Sequence, residues 1–220
     1  MTRPWLRYVH WFGYVASVIV ILELVFLGYV ALNAWQRYEA FRDHSRMHAG
    51  PAETRLADQY CGEEEIARLR QLPPLTALGT DGFRASFGPS FGDTHFAIAL
   101  RRTPAGGEGV MIMIPMKSGT LCKPRTEPPT QAIAIRIPAD RYDRLTTQID
   151  QLASSWRSEA SGWSDGTSTV FERVTRDGVT SGFGNSPNFY GKLGALVFDA
   201  LRPTTPQLAP FDSSWHPRGR

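Results

Sequence analysis

Between Trp11 and Leu32 the chain runs WFGYVASVIVILELVFLGYVAL, about 22 residues with a single charge, at Glu23. At about 1.5 Å of rise per residue such a stretch spans the ~30 Å hydrocarbon core of a bilayer, so the pattern predicts one transmembrane helix. Trp5, Tyr8, Trp11 and Tyr14 bracket it on one side, and Tyr29, Trp35 and Tyr38 on the other. Amphipathic rings favour the headgroup zone, which agrees with a span. A cleaved signal peptide is the rival, because Arg3 and Arg7 make a basic leader. Its apolar region would normally be only ~7–15 residues and end in a small-residue cleavage site, which Ala31-Leu32-Asn33-Ala34 matches poorly. The expectation is a retained signal-anchor over residues 11–32, with a short flank at 1–10.

Past the anchor the pattern stays helical and then becomes extended. Residues 33–72 read as a juxtamembrane helical segment, interrupted at His48-Ala49-Gly50-Pro51 and ended by Pro73-Pro74. From Phe83 to Phe87, His95 to Leu100, Val110 to Ile114 and Ala132 to Ile137 the residues read as strands. Asp140 is placed to cap a helix whose Tyr142, Leu145, Ile149 and Leu152 share one face. Thr167–Val174 and Val179–Phe183 flank Asp177-Gly178, a hairpin signal. Phe189, Leu193, Leu196, Val197 and Ala200 give a last amphipathic helix, near Tyr190 to Leu201, which Arg202-Pro203 ends. The fold expected is α+β: one N-terminal transmembrane helix, then an antiparallel sheet domain over 73–201 covered by amphipathic helices. Residues 202–220, rich in Pro and Ser, read as a flexible tail.

Composition adds exclusions. The 24 basic and 21 acidic residues leave a net charge of +3 spread along the chain, without the stripe that would neutralise phosphates, so nucleic acid is not an expected partner. Glu63-Glu64-Glu65 reads as a solvated helix face, with Glu64 four residues before Arg68. No metal site is expected, since no His or further acid lies at ligand spacing around that run, and no motif calls for a cofactor. The two cysteines, Cys61 and Cys122, are too few for a four-ligand zinc site. They are a disulfide candidate that would close a loop of about 60 residues and contribute roughly 3–4 kcal/mol; two separate, partly buried thiols is the competing reading.

Two motifs resemble catalytic ones. Gly88-Pro89-Ser90-Phe91-Gly92 fits G-x-S-x-G, but that elbow needs a strand before it and a helix after it, and here a strand is expected to follow. A membrane-tethered hydrolase using Ser90, with His95 as base, is therefore the alternative and not the leading reading. Gly184 to Lys192 has the wrong spacing for a phosphate loop, and Leu193 stands where Ser or Thr is required. Trp156 and Trp163 could line a ligand groove, but read more simply as cover for the sheet.

The anchor itself carries the sharpest anomaly. A carboxylate in mid-membrane costs a few kcal/mol, so something should compensate Glu23. At about 100° per residue, Gly13, Ala16, Ser17, Gly28 and Ala31 fall on one arc with Glu23 at its edge, a small, weakly polar face that lets another helix approach. The competing reading is a protonated Glu23 tolerated in a lone span. Arg3 and Arg7 against Arg37, Arg42 and Arg46 nearly balance the positive-inside count; the short leading segment and the cysteine pair favour an exported C-terminal domain.

Trp163-Ser164-Asp165-Gly166-Thr167, Phe171-Glu172-Arg173-Val174, Asp177-Gly178 and Asn185-Ser186-Pro187 together resemble a recurrent pattern in uncharacterised bacterial exported and membrane-anchored proteins. The resemblance implies a cell-envelope protein of the bacterial inner membrane with a periplasmic hairpin and closing helix. It implies no catalytic residues. The function expected is a single-pass, non-enzymatic interaction or accessory subunit of a membrane complex, in contact with lipid and with a partner helix or a second copy.

Overall fold

The computed structural model describes residues 4–44, 46–57, 62–90, 92–115, 131–156 and 166–219. The chain divides into two compact units, one ending at Asp43 and the other running from His44 to the C-terminus. The first is a single helix, α1 (Pro4–His44), longer than the apolar stretch because Asn33 to His44 continue it in polar sequence. Within it Gly13–Gln36 is apolar and long enough to cross a membrane, by length and composition, and that window is wholly exposed.

The second unit is an α+β domain around one seven-stranded sheet. Its elements are β1 (His48–Ala49), α2 (Glu53–Leu56), α3 (Gly62–Leu69), β2 (Gly82–Pro89), β3 (Thr94–Thr103), β4 (Gly106–Pro115), β5 (Gln131–Pro138), α4 (Ala139–Ser155), β6 (Thr167–Thr175), β7 (Gly178–Gly184) and α5 (Tyr190–Leu201). The sheet order is β1-β7-β6-β2-β3-β4-β5, every neighbouring pair antiparallel. Two meanders, β2-β3-β4-β5 and β6-β7, join where β6 pairs with β2. In the β6–β7 hairpin Thr175 pairs with Gly178, and Gly178 takes the φ of +127° that a side chain would resist.

Both faces of the sheet are covered. On one, Phe83, Phe87, Phe96, Ile98, Leu100, Ile135 and Phe171 pack against Tyr142, Leu145 and Ile149 of α4 and Leu193, Val197 and Phe198 of α5. On the other, Ala97, Ala99, Ile112, Ile114, Val170 and Val174 lie under Ala52, Leu56, Ile66, Leu69, Leu72 and Leu78. All eight residues of β2 are buried, because the strand sits mid-sheet between the two layers. Burial also pushes the Tyr142 hydroxyl well above its ordinary value, with the Asp81 carboxylate adding to the rise.

Three expectations are corrected. Residues 33–72 break at 48–51 as expected, but the break includes a strand, His48 and Ala49 pairing with Ser181 and Thr180 of β7, and α2 and α3 form part of the second layer. Asp140 does not cap α4: it lies in the first turn and accepts a hydrogen bond from Arg144 at 2.7 Å, while the cap position is Pro138, with no side-chain bond. The tail after Leu201 is packed, with Leu208, Phe211 and Trp215 buried in the core. Trp215 stacks on Phe87 at 4.3 Å between centroids, meets Phe96 at 4.9 Å and Phe198 edge-on at 5.2 Å, and its indole N–H donates to the Gly194 carbonyl at 3.2 Å. One aromatic residue therefore ties the last segment to the sheet and to α5. Substituting Trp215→Ala removes that tie and should destabilise the domain by about 3–5 kcal/mol, read as a lower urea midpoint for the full chain in detergent micelles, whereas Pro217→Ala at the periphery should leave the midpoint nearly unmoved.

Candidate functional site

The residues singled out on α1 are all exposed: Gly13, Ala16, Ser17, Glu23, Gly28 and Ala31. A Cβ built on Gly13 or Gly28 meets nothing within 4 Å, so close approach from outside is sterically open. The Ser17 hydroxyl donates to the Gly13 carbonyl at 2.9 Å, which satisfies it within its own helix and leaves Glu23 as the unusual polar group of the face. Cys61 and Cys122 lie outside the described residues, as does Trp163. Trp156 stacks on Phe189 at 4.3 Å, packing α4 against the start of α5.

Ser90 follows β2 in the β2–β3 connection, His95 is the second residue of β3, and the two have different duties. The Ser90 backbone N–H and hydroxyl both donate to the Gly166 carbonyl, at 2.9 and 2.5 Å, pinning the end of β2 to the start of β6. The chain enters β3 at Thr94, so a strand follows the serine where an elbow requires a helix. His95 is buried, and its Nδ1 meets Nη1 of Arg68 within hydrogen-bond distance. A guanidinium only donates, so Nδ1 accepts and the neutral ring carries its proton on Nε2. That tautomer offers no lone pair at Nε2 with which to take a proton from Ser90.

Around His95 lies a polar cluster that the sequence did not reveal. Arg68 donates to Glu64 at 2.9 Å and is paired with Glu65; Glu65 in turn accepts from the Ser86 hydroxyl at 2.7 Å and from Ser168 at 3.3 Å. Glu63 is exposed and the pair of Glu64 with Arg68 expected on α3 forms, but Glu65 and Arg68 are buried, so at Glu65 the run turns from a solvated face toward the sheet. Next to it the Glu172 carboxylate, fully buried, accepts two hydrogen bonds from Arg84, both at 2.6 Å, and one from the Ala52 backbone N–H at 2.9 Å. Alternation along β2 and β6 would place Arg84, Ser86 and Glu172 on one face, but only the pairing Arg84↔Glu172 across the two strands brings the charges together. Among the described residues no group of three His, Cys, Asp or Glu could hold a metal ion.

Cavities open elsewhere among the described residues, and two of them bear on function. One, of about 980 Å³, is polar, bordered by the loop Thr76–Asp81, by Arg101, Arg102 and Arg176, and by Arg173. Its arginines are largely spent internally: Arg173 pairs with Asp81 at 2.6 Å and Asp150 at 3.0 Å, and Arg102 pairs with Asp143. The other, of about 420 Å³, is mainly apolar and lies between the start of β6, the first half of α5 and the segment 213–216. Its rim is shaped by Asp212. Burial pushes that carboxyl up, but hydrogen bonds from the Ser214 hydroxyl and from the His216 and Ser214 backbone N–H groups outweigh it and hold the group below its ordinary value.

Set against known proteins, the chain matches no family model, no curated protein and no solved structure. What it can do is therefore argued from its own geometry. The buried cluster is built for cohesion, each carboxylate being saturated by donors of its own domain. Replacing Glu172 by Ala strands a buried Arg84 and should cost about 3–5 kcal/mol, while the double substitution Arg84→Met, Glu172→Leu should recover most of it; a double-mutant cycle on urea midpoints measures the coupling.

Proposed function

We propose that the chain is a single-pass inner-membrane protein of the bacterial envelope, held by α1, with its α+β domain in the periplasm, and that it acts as a non-enzymatic accessory or interaction subunit of a membrane complex. The observation that carries this reading is the Gly13–Gln36 window, 24 residues of predominantly apolar helix with one carboxylate. Apolar area of that extent belongs in lipid or against other helices. Glu23 and the small residues Gly13, Ala16, Ser17, Gly28 and Ala31 form the face on which a partner helix, or α1 of a second copy, is placed. In lipid, where apolar burial does not drive association, close packing and hydrogen bonds to a carboxyl do. The sequence resemblance to exported and membrane-anchored bacterial proteins supports the same placement.

Glu23→Leu combined with Gly13→Leu should weaken helix-mediated association roughly five- to thirty-fold, at about 1–2 kcal/mol, measured by cross-linking and co-purification from membranes; unchanged association overturns the partner-helix assignment. Sidedness is read separately, with a membrane-impermeant maleimide on intact cells. Labelling of Cys61 and Cys122 only after reduction is the expected result and means an exported, disulfide-bonded domain. Labelling that requires lysis but no reductant places the domain in the cytoplasm.

A further inference from the structure

The apolar cavity beside α5 has features that packing alone does not require. Its walls include the glycines Gly166, Gly191 and Gly194, with Tyr190 and Trp215, each no more than 1% exposed, behind them. Gly194 has a steric reason: a Cβ there would come within 3.2 Å of the Trp215 indole nitrogen. Gly191 has none. A Cβ at that position meets only the Ser186 carbonyl oxygen, at 3.5 Å, an ordinary contact, and its φ is not one that favours glycine. Alanine at such a site stabilises a fold by restricting the unfolded chain, so the glycine keeps space open at a cost in stability.

The second feature is independent of the first. Trp215 has a φ of +68°, the one positive value among the described non-glycine residues. For a bulky side chain this is a strained conformation, and such strain persists only where surrounding structure over-determines it. Here the turn is held by Asp212, which accepts from the Ser214 N–H and hydroxyl at 2.9 Å and from the His216 N–H at 3.1 Å, and by the backbone bridge between Phe211 and Pro217. The strained turn sets Ser214 and His216 at the rim, with Asn185 opposite. Among the described residues no carboxylate, Lys or Arg side chain lines the cavity, which suits an uncharged occupant with one or two hydrogen-bonding groups.

We propose that this cavity is a binding site for a small, uncharged, mainly apolar molecule, with its apolar body against Gly191 and Gly166 and its polar group toward Asn185 and His216. A volume of about 420 Å³ falls within the range of small-molecule sites. The assignment goes beyond the anchor and stands without it, because every residue in it belongs to the sheet domain.

The test uses the full chain in phosphatidylcholine nanodiscs, photolabelled with 3-trifluoromethyl-3-phenyldiazirine, an uncharged aromatic probe, and digested for mass spectrometry. Wild type should carry label on the peptides containing Gly191 and Trp215, and Gly191→Leu, which fills the cavity, should cut that label roughly ten-fold. Gly191→Ala guards against misfolding in the larger variant: it should fold, melt roughly 1–4 °C higher and label less than wild type. Absence of label on these peptides in wild type, or equal label in all three proteins, overturns the site. Labelling of α1 is an internal control for insertion; its loss would count against the anchor and leave the cavity assignment untouched.

Discussion

A sheet covered on both faces has no water with which to satisfy the polar groups of its second face, and in this domain that constraint is met at Glu172. Its carboxylate takes Arg84 from the adjacent strand and the backbone N–H of Ala52, the residue before α2, so one buried anion joins β6, β2 and the start of α2. Glu65 repeats the device one layer along, holding Ser86, Ser168 and Arg68. Desolvating these charges is expensive, and the cost is offset only because each is met by several donors at once. The geometry that results fixes α2 and α3 in place where apolar contact alone would let them slide.

Seen from that side, the juxtamembrane segment is structural. The two residues of β1 extend the sheet beyond β7, and the Gly50 N–H continues the ladder by donating to the Val179 carbonyl at 2.8 Å. Strand β1 and helices α2 and α3 are thus part of the sheet domain itself. On the opposite face the C-terminal segment does the equivalent, with Trp215 set between Phe87, Phe96 and Phe198. Both ends of the domain thus close over the sheet. The apolar cavity lies where the second closure is incomplete, between a glycine-bearing helix and a strained turn.

Short motifs name residue types, whereas chemistry depends on where the side chains' hydrogen bonds go. Ser90, in the G-x-S-x-G match, gives both its donors to Gly166, seventy-six positions away in the chain, and His95 faces a guanidinium. In the acidic run Glu63 is exposed and Glu64 pairs with Arg68 as a local helix pattern dictates, and only the approach of β2 and β6 turns Glu65 inward.

The sequence by itself determined the anchor-length helix, the strands from Phe83 to Ile137, the Asp177-Gly178 hairpin and the helix from Tyr190 to Leu201, because each rests on local periodicity and turn chemistry that a few consecutive residues carry. It also marked Glu23 as anomalous, since a lone charge in an apolar run needs no tertiary context to be noticed. Only the tertiary structure decided that His48-Ala49 is a strand, that Arg84 and Glu172 are partners and that Leu208, Phe211 and Trp215 belong to the core. These depend on strand register and on contacts between residues far apart in the chain, and an isolated dipeptide, a charge in a strand or a Pro-rich tail looks the same before folding whether or not a partner awaits it.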